Sequence, residues 1–372
     1  MKYKLFFLAT IILGFGSMSC KKTGADSGIA VNAVVPTVTT ADATDITGTN
    51  ATIGGNITND GGSIVREAGI VYSTTTGVDT SKNKTPNYTI SGPFSVALKN
   101  LTLLTKYYYK AYAINEKGIV YGAEKSFFVP VNGYNSSAQV AAANSVAYWA
   151  FDGSLIDSVS AQSGISTNTS FGTGIKKQAL QTGSNGYVLF TPGTSITGMS
   201  SYTISYWVNA PVNANGIAGT VNLSHNSNFW GNIDQFFENG STSNAAKFRI
   251  HITNGDGKEH WIAKDGIPDV FGKMTHLATS FDGNTKTFKF YVNGTEIVSD
   301  IDAAFGNLQF ANTGKLVFGT VQFMTTPSLT SNHGAEPWAG FLNGVLDEVR
   351  IYNKALTTDE MLALYALQNK GF

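Results

Sequence analysis

Cysteine is all but missing: Cys20 is the only one in 372 residues, so no disulfide can staple the chain to itself. Stability must come from hydrophobic cores, and this length can supply them in two domains. Charge is scarce too. Charged residues are 13% of the chain, about half the usual share, and 25 cations balance 25 anions. With no basic stripe, nucleic acid is excluded as a partner class. The five histidines are scattered, which leaves no zinc ligand set. Beyond Cys20 no apolar run reaches membrane-spanning length. No Gly-rich phosphate loop and no Ser/His/Asp constellation is present.

What is present is glycine, threonine, asparagine and 12% aromatic residues, the composition of an exported all-β protein. Lys2 and Lys4 precede the apolar run Leu5 to Gly16, small residues follow, and then Cys20. A run this short with these flanks reads as an export signal over residues 1–19 rather than a spanning helix. The segment resembles a bacterial lipoprotein processing box. That resemblance implies that Cys20 becomes the lipidated first residue of the mature chain. The protein would then be lipid-anchored in an outer membrane, facing the surface or the periplasm. The plainer alternative is an ordinary secretory signal with an incidental cysteine.

Residues 20–35 are small and polar and read as a flexible tether. Residues 36–129 read as a β unit. Ala68 to Ser73 is one strand, Phe94 to Leu98 alternates, and Leu101 to Ala113 sets Tyr107, Tyr109 and Ala111 opposite Tyr108, Lys110 and Tyr112. Short strands punctuated by turns argue a sandwich. The run LTLLTKYYYKAYAINEKG is similar to the end of a fibronectin type III domain, and EAGIVYS resembles the form common in Bacteroidetes surface proteins. The resemblance implies a spacer module. Residues 130–144 carry Pro, Gly, Ser and Ala and read as a linker with a short helix.

Residues 145–372 form the second unit, again β in pattern. Tyr202 to Val208 and Lys247 to Thr253 alternate, and Asn293-Gly294 after Thr287 to Val292 suits a type I′ hairpin turn. Thr357 and Glu360 have capping-box spacing before a C-terminal helix. Four segments in order carry a resemblance: AYWAFDGSLID from Ala147, YTISYWV from Tyr202, GKMTHLATSFDG from Gly272 leading into FYVNG, and GFLNGVLDEVRIYNKAL from Gly340. Together they resemble a laminin-G-like, concanavalin A-like jelly roll. The fold class expected is therefore all-β, a fibronectin III-like sandwich followed by a concanavalin A-like one.

That second resemblance implies that the end strands are neighbours, where a structural Ca²⁺ often sits. Asp152, Asp157 and Asp347 are its candidate ligands, since Ca²⁺ favours several oxygens. The alternative is that Asp152 caps a turn and Asp347 pairs with Arg350. Hydrolases of this fold carry two carboxylates about 5.5 Å apart. The nearest stretch, Asn232 to Glu238, has an amide where the nucleophile should be and Glu238 one position too far. No enzyme activity is expected. A diverged glycoside hydrolase is the lesser alternative.

Sugars are held by aromatic rings on C–H faces and by planar polar groups on hydroxyls. Trp149 and Trp207 lie inside strand motifs and read as core. Trp230, Trp261 and Trp338 lie outside those motifs and are the candidate sugar platforms, with Asn232, Asp234 and Arg249 as polar partners. The expected function is a tethered, non-catalytic binder of a polysaccharide or oligosaccharide, working beside sugar-uptake proteins. The alternative is an adhesive or structural protein with a protein partner. Convergence of the three tryptophans on one concave face would favour sugar, whereas a flat apolar patch would favour protein.

Overall fold

The computed structural model of the protein describes residues 32–212 and 216–372. The expected signal segment, Cys20 and most of the tether lie outside the described residues. The regular structure of the described chain is mostly β-strand, with short helical turns and one longer C-terminal helix. No described helix is long and apolar enough to cross a membrane.

The N-terminal strands form two antiparallel sheets. One joins Thr37–Thr40, Asn50–Asn59, Thr44–Thr47 and Gly92–Leu98. The other runs from Asn83–Asn87 through Glu67–Ser73 to Thr105–Asn115, which also pairs with Gly118–Tyr121 and Lys125–Val129. The two-residue period of a strand explains the core. Tyr107, Tyr109 and Ala111 pack inward with Ile53, Ile57, Ile70 and Phe127. Tyr108 and Tyr112 face the other way, and Tyr112 closes a small cluster with Val71 and Val78.

The C-terminal strands make two layers joined by one long strand. Gln178–Phe190 pairs at its start with Val345–Tyr352 and at its end with Thr313–Phe318. From the second junction one layer continues through Val221–His225, Ile233–Phe237 and Ala246–Thr253 to Glu259–Ile267. From the first, the other layer continues through Tyr202–Asn209, Thr275–Asp282 and Thr287–Val292 to Thr295–Ile301. Ser145–Trp149 pairs with Val345–Tyr352, so the opening and closing segments are neighbours, as expected. The layers enclose one core in which Trp149 meets Phe190 and Phe318 at ring distances of 4.7 and 5.0 Å. Trp149 and Trp207 are both buried. Asn293 and Gly294 take φ of 49° and 74°, the pair of positive values that a type I′ turn requires.

The helix Thr358–Asn369 has its capping box: Thr357 Oγ1 accepts from the Glu360 N–H at 3.2 Å and Glu360 accepts from the Thr357 N–H at 2.9 Å. Its apolar side chains Met361, Leu364 and Leu367 pack on Tyr291 and Tyr352. Val131 and Val140 join the same cluster, and Ser137 is buried beside it. Residues 130–144, expected as a linker, are therefore packed onto the second domain. Val131 and Val140, with Tyr134, Ala141 and the hydrogen bonds of Asn132, Ser137 and Asn144 to Asp359, Phe372 and Asn353, hold them there.

Candidate functional site

The outer layer of the C-terminal sandwich presents a patterned face. Along Ile233–Phe237 and Ala246–Thr253, residues Ile233, Phe237, Phe248, Ile250 and Ile252 point into the core. The alternate positions point away from it, and register aligns them in rows. Asp234 lies opposite His251, and His251 opposite Trp261; Phe236 lies opposite Arg249, and Arg249 opposite Ala263. Two loops close over this face. Trp230 arrives on the loop before Ile233, and Trp338 arrives just before Ala339–Gly340, which pairs in parallel with Ile217–Gly219. The Ile217 N–H donates to the Trp338 carbonyl at 3.2 Å. Gly216, at φ 77°, lets that carbonyl approach to where a Cβ would sit at 2.7 Å.

The result is a cavity of about 480 Å³ whose walls include Trp230, Trp261, Trp338, Phe236, Arg249 and Glu238. That volume falls within the range of small-molecule sites, roughly 300–1,000 Å³. Trp230 is the hub. It stacks on Phe236 at 5.4 Å and 7°, meets Trp261 edge-on at 5.3 Å and 83°, and leans on Trp338 at 6.3 Å and 57°. Each such contact contributes about 0.5–1.5 kcal/mol beyond area burial, so the rings brace one another. Trp261 and Trp338 nevertheless remain 40% and 44% exposed, which marks them as surface rather than core.

Asn232 and Asp234, expected as sugar contacts, are not on this wall. Both are buried. The Asn232 amide donates to the carbonyls of Ser224 and Ala311 at 3.0 and 3.1 Å, tying its own loop to the strand Val221–His225 and to the loop of Ala311. Asp234 accepts from the Gly231 N–H at 2.7 Å and lies 3.1 Å from His251 Nδ1. Burial pushes its carboxyl above the usual range, against the pull of His251 and that N–H. The imidazole of His251 in turn backs Trp261 at 4.2 Å. Asp234 thus fixes the turn that carries Trp230 and the ring behind Trp261, and acts from beneath the cleft. Strand alternation could have placed Phe236 and Ala263 in the wall, since each lies two residues from a named candidate. Glu238 was visible in sequence only as a misplaced catalytic carboxylate. In the fold it meets the guanidinium of Arg249.

The three carboxylates expected to share calcium are each engaged separately. Asp157 is buried and accepts from the N–H groups of Tyr148, Val159 and Ser160. Asp152 pairs with Lys177 at 3.0 Å and accepts from the Gln178 N–H. Asp347 accepts from the N–H groups of Ile175 and Glu348, and burial pushes it up to about 7. Among the described residues no group of three His, Cys, Asp or Glu comes together as a metal site. As arranged, these three residues do not form one shared carboxylate cluster for that ion. Nor does Asp347 pair with Arg350; Glu348 does, at 3.4 Å, while also accepting from the Tyr148 hydroxyl at 2.8 Å.

The model of the concanavalin A-like lectin/glucanases superfamily matches residues 182–361. The C-terminal domain is concanavalin A-like. Among curated proteins none matches. The chain is similar to several solved structures. One is domain 4 of AbnA, a GH43 extracellular arabinanase from Geobacillus stearothermophilus, in complex with arabinotriose. It is 21% identical over 59% of this chain and 98% of that one, with a TM-score of 0.40. Another is the CBM40 of the Ruminococcus gnavus IT-sialidase bound to α2,3 sialyllactose, 16% identical over 46% and 85% of the two chains, with a TM-score of 0.36. A third is the botulinum neurotoxin serotype D binding domain, 14% identical over 60% and 51%, with a TM-score of 0.43.

Proposed function

We propose that the concanavalin A-like domain binds carbohydrate, without catalysis, in the cleft between Trp230, Trp261 and Trp338. One observation carries this reading: three tryptophans distant in sequence converge on one cavity, and two of them stay substantially exposed. Exposed indoles cost solvation unless a ligand covers them, and the C–H faces of a sugar suit them. Glu238, Asn239 and Arg249 at the same wall offer planar groups for hydroxyls. A binder rather than a hydrolase is favoured because, among the described residues, Glu238 is the one carboxylate on the wall and is held by Arg249. Glycoside hydrolysis needs two carboxyl groups flanking the bond.

The N-terminal sandwich is read as a fibronectin type III-like spacer. The Tyr107 hydroxyl accepts from the Thr102 N–H at 3.1 Å, a strand tyrosine bonded back to the backbone just upstream, as in the tyrosine corner of such sandwiches. Residues 1–19 are read as a signal and Cys20 as the lipid attachment site, so the binder is tethered at an outer membrane beside sugar-uptake proteins. Mass spectrometry of the N-terminal peptide, with Cys20→Ala as control, tests the anchor: a free thiol at Cys20 in membrane fractions would sink it. Affinity electrophoresis against a polysaccharide panel tests the binding. Retardation by one glycan class, weakened about tenfold or more in Trp230→Ala, Trp261→Ala or Trp338→Ala, is expected. Retardation unchanged in all three variants would move the site elsewhere.

A further inference from the structure

Resting on that reading, we propose that the cleft takes a neutral saccharide as a single soluble chain, and rejects both acidic glycans and flat crystalline polysaccharide. Among the described residues Arg249 is the one cation on the cavity wall, and it is the group that a uronate or sialate would need. Its guanidinium is already held: it meets Glu238 on one side and Asp265 at 2.7 Å on another, and donates to the Phe248 carbonyl at 3.1 Å. One cation against two carboxylates leaves this cluster net negative. The wider surroundings add Lys247 on the same strand face, and also Glu259, 3.6 Å from His251, and Glu336, 3.4 Å from His333. Four carboxylates then face two permanent cations. An incoming carboxylate would compete with Glu238 and Asp265 for the Arg249 guanidinium and be repelled by both, which works against binding. A hydroxyl displaces nothing. It can donate to Glu238 and accept from the amide of Asn239, and both lie on the wall.

Ring geometry supplies the second half. A crystalline face needs coplanar platforms. Here the Trp261 and Trp338 planes are turned 83° and 57° from Trp230, so no flat surface can lie on all three. A chain that turns within the concavity can meet them in succession.

The test uses the full-length protein against three kinds of probe: soluble arabinan, galactan and glucomannan; polygalacturonate and alginate; and suspended microcrystalline cellulose and chitin. Retardation by a neutral chain, none by either uronate and no depletion by the solids is expected. The double variant Glu238→Gln/Asp265→Asn frees Arg249 and is expected to gain about tenfold in affinity for polygalacturonate, a gain that fades with added salt. Asp265→Asn alone, at an exposed position, gives a smaller gain in the same direction and guards against misfolding of the double variant. Wild-type protein that binds a uronate as tightly as any neutral chain, or is depleted by a solid, overturns this inference and leaves carbohydrate binding standing. Variants that bind a neutral chain but gain no uronate affinity overturn the charge argument. If no probe is bound at all, the glycan reading of the cleft fails and the inference falls with it.

Discussion

Trp230 and Asn232 are two residues apart and do opposite work. The indole of Trp230 lies on the cleft wall, while the amide of Asn232 is buried and bonded to two carbonyls. Asn232→Ala is therefore expected to lower stability by about 1–3 kcal/mol, the cost of stranding buried carbonyls. Glycan affinity of the folded protein should change less than threefold. Urea unfolding with affinity electrophoresis separates these, and a stable variant with lost affinity would return Asn232 to the binding surface. His276 is the second telling residue. It is buried, its Nε2 lies 2.8 Å from the Ser205 hydroxyl, and burial lowers it from 6.5 to about 3. Between those values the unfolded chain takes up a proton that the folded chain refuses. Its contribution is thus whole above pH 6.5 and lost as pH falls toward 3, with a slope approaching 1.4 kcal/mol per pH unit. His276→Gln should flatten the fall in urea midpoint between pH 6.5 and 4.5. An unaltered slope would show that another group sets the acid limit.

At the scale of elements, the hairpin and the C-terminal helix follow from local chemistry. Asn293-Gly294 takes the turn it favours, and Thr357 with Glu360 forms the capping box that its spacing announces. Thr357→Ala is expected to cost about 1 kcal/mol, read from the thermal midpoint; no shift would mean the helix is held by packing alone. Strand alternation was equally legible, and with it the inward face of Tyr107 to Ala111. Strand ends were less so, because pairing extends an element past its own pattern. Ile53 lies in a ten-residue strand, Asn50–Asn59, whose burial alternates from Asn50 to Thr58 although Gly54-Gly55 interrupt the sequence pattern. Asp347 and Glu348 show a different limit. Glu348 takes φ 49° inside a strand, where register slips opposite Ser205 and Trp207, and both acidic side chains are buried. Such an irregularity is decided by what the neighbouring strands require.

At the scale of the molecule, the segment of residues 130–144 belongs energetically to the second domain, since Val131 and Val140 pack under its C-terminal helix. A fragment of residues 130–372 is expected to fold and retain glycan affinity within about twofold. One that begins at residue 145 exposes that cluster and should lose about 2–4 kcal/mol, the scale of two buried valines with the cavities they leave. Equal stability of the two fragments by urea unfolding would restore the linker reading. If the shorter one proves insoluble, Val131→Ala/Val140→Ala in the longer one poses the same question.

The sequence by itself determined the all-β class, the alternation of strand faces, the capped helix, and which tryptophans lie outside the strand motifs. These follow from periods of two or three to four residues and from turn chemistry, which neighbours in the chain settle among themselves. The tertiary structure alone decided that Trp230, Trp261 and Trp338 share one cavity, that Asp234 supports it from below, and that Arg249 is held by Glu238 and Asp265. It also decided that three aspartates expected together are engaged apart. Those are matters of strand order and cross-strand register. One step of register turns a side chain from core to cleft, and no local signal records which step the fold will take.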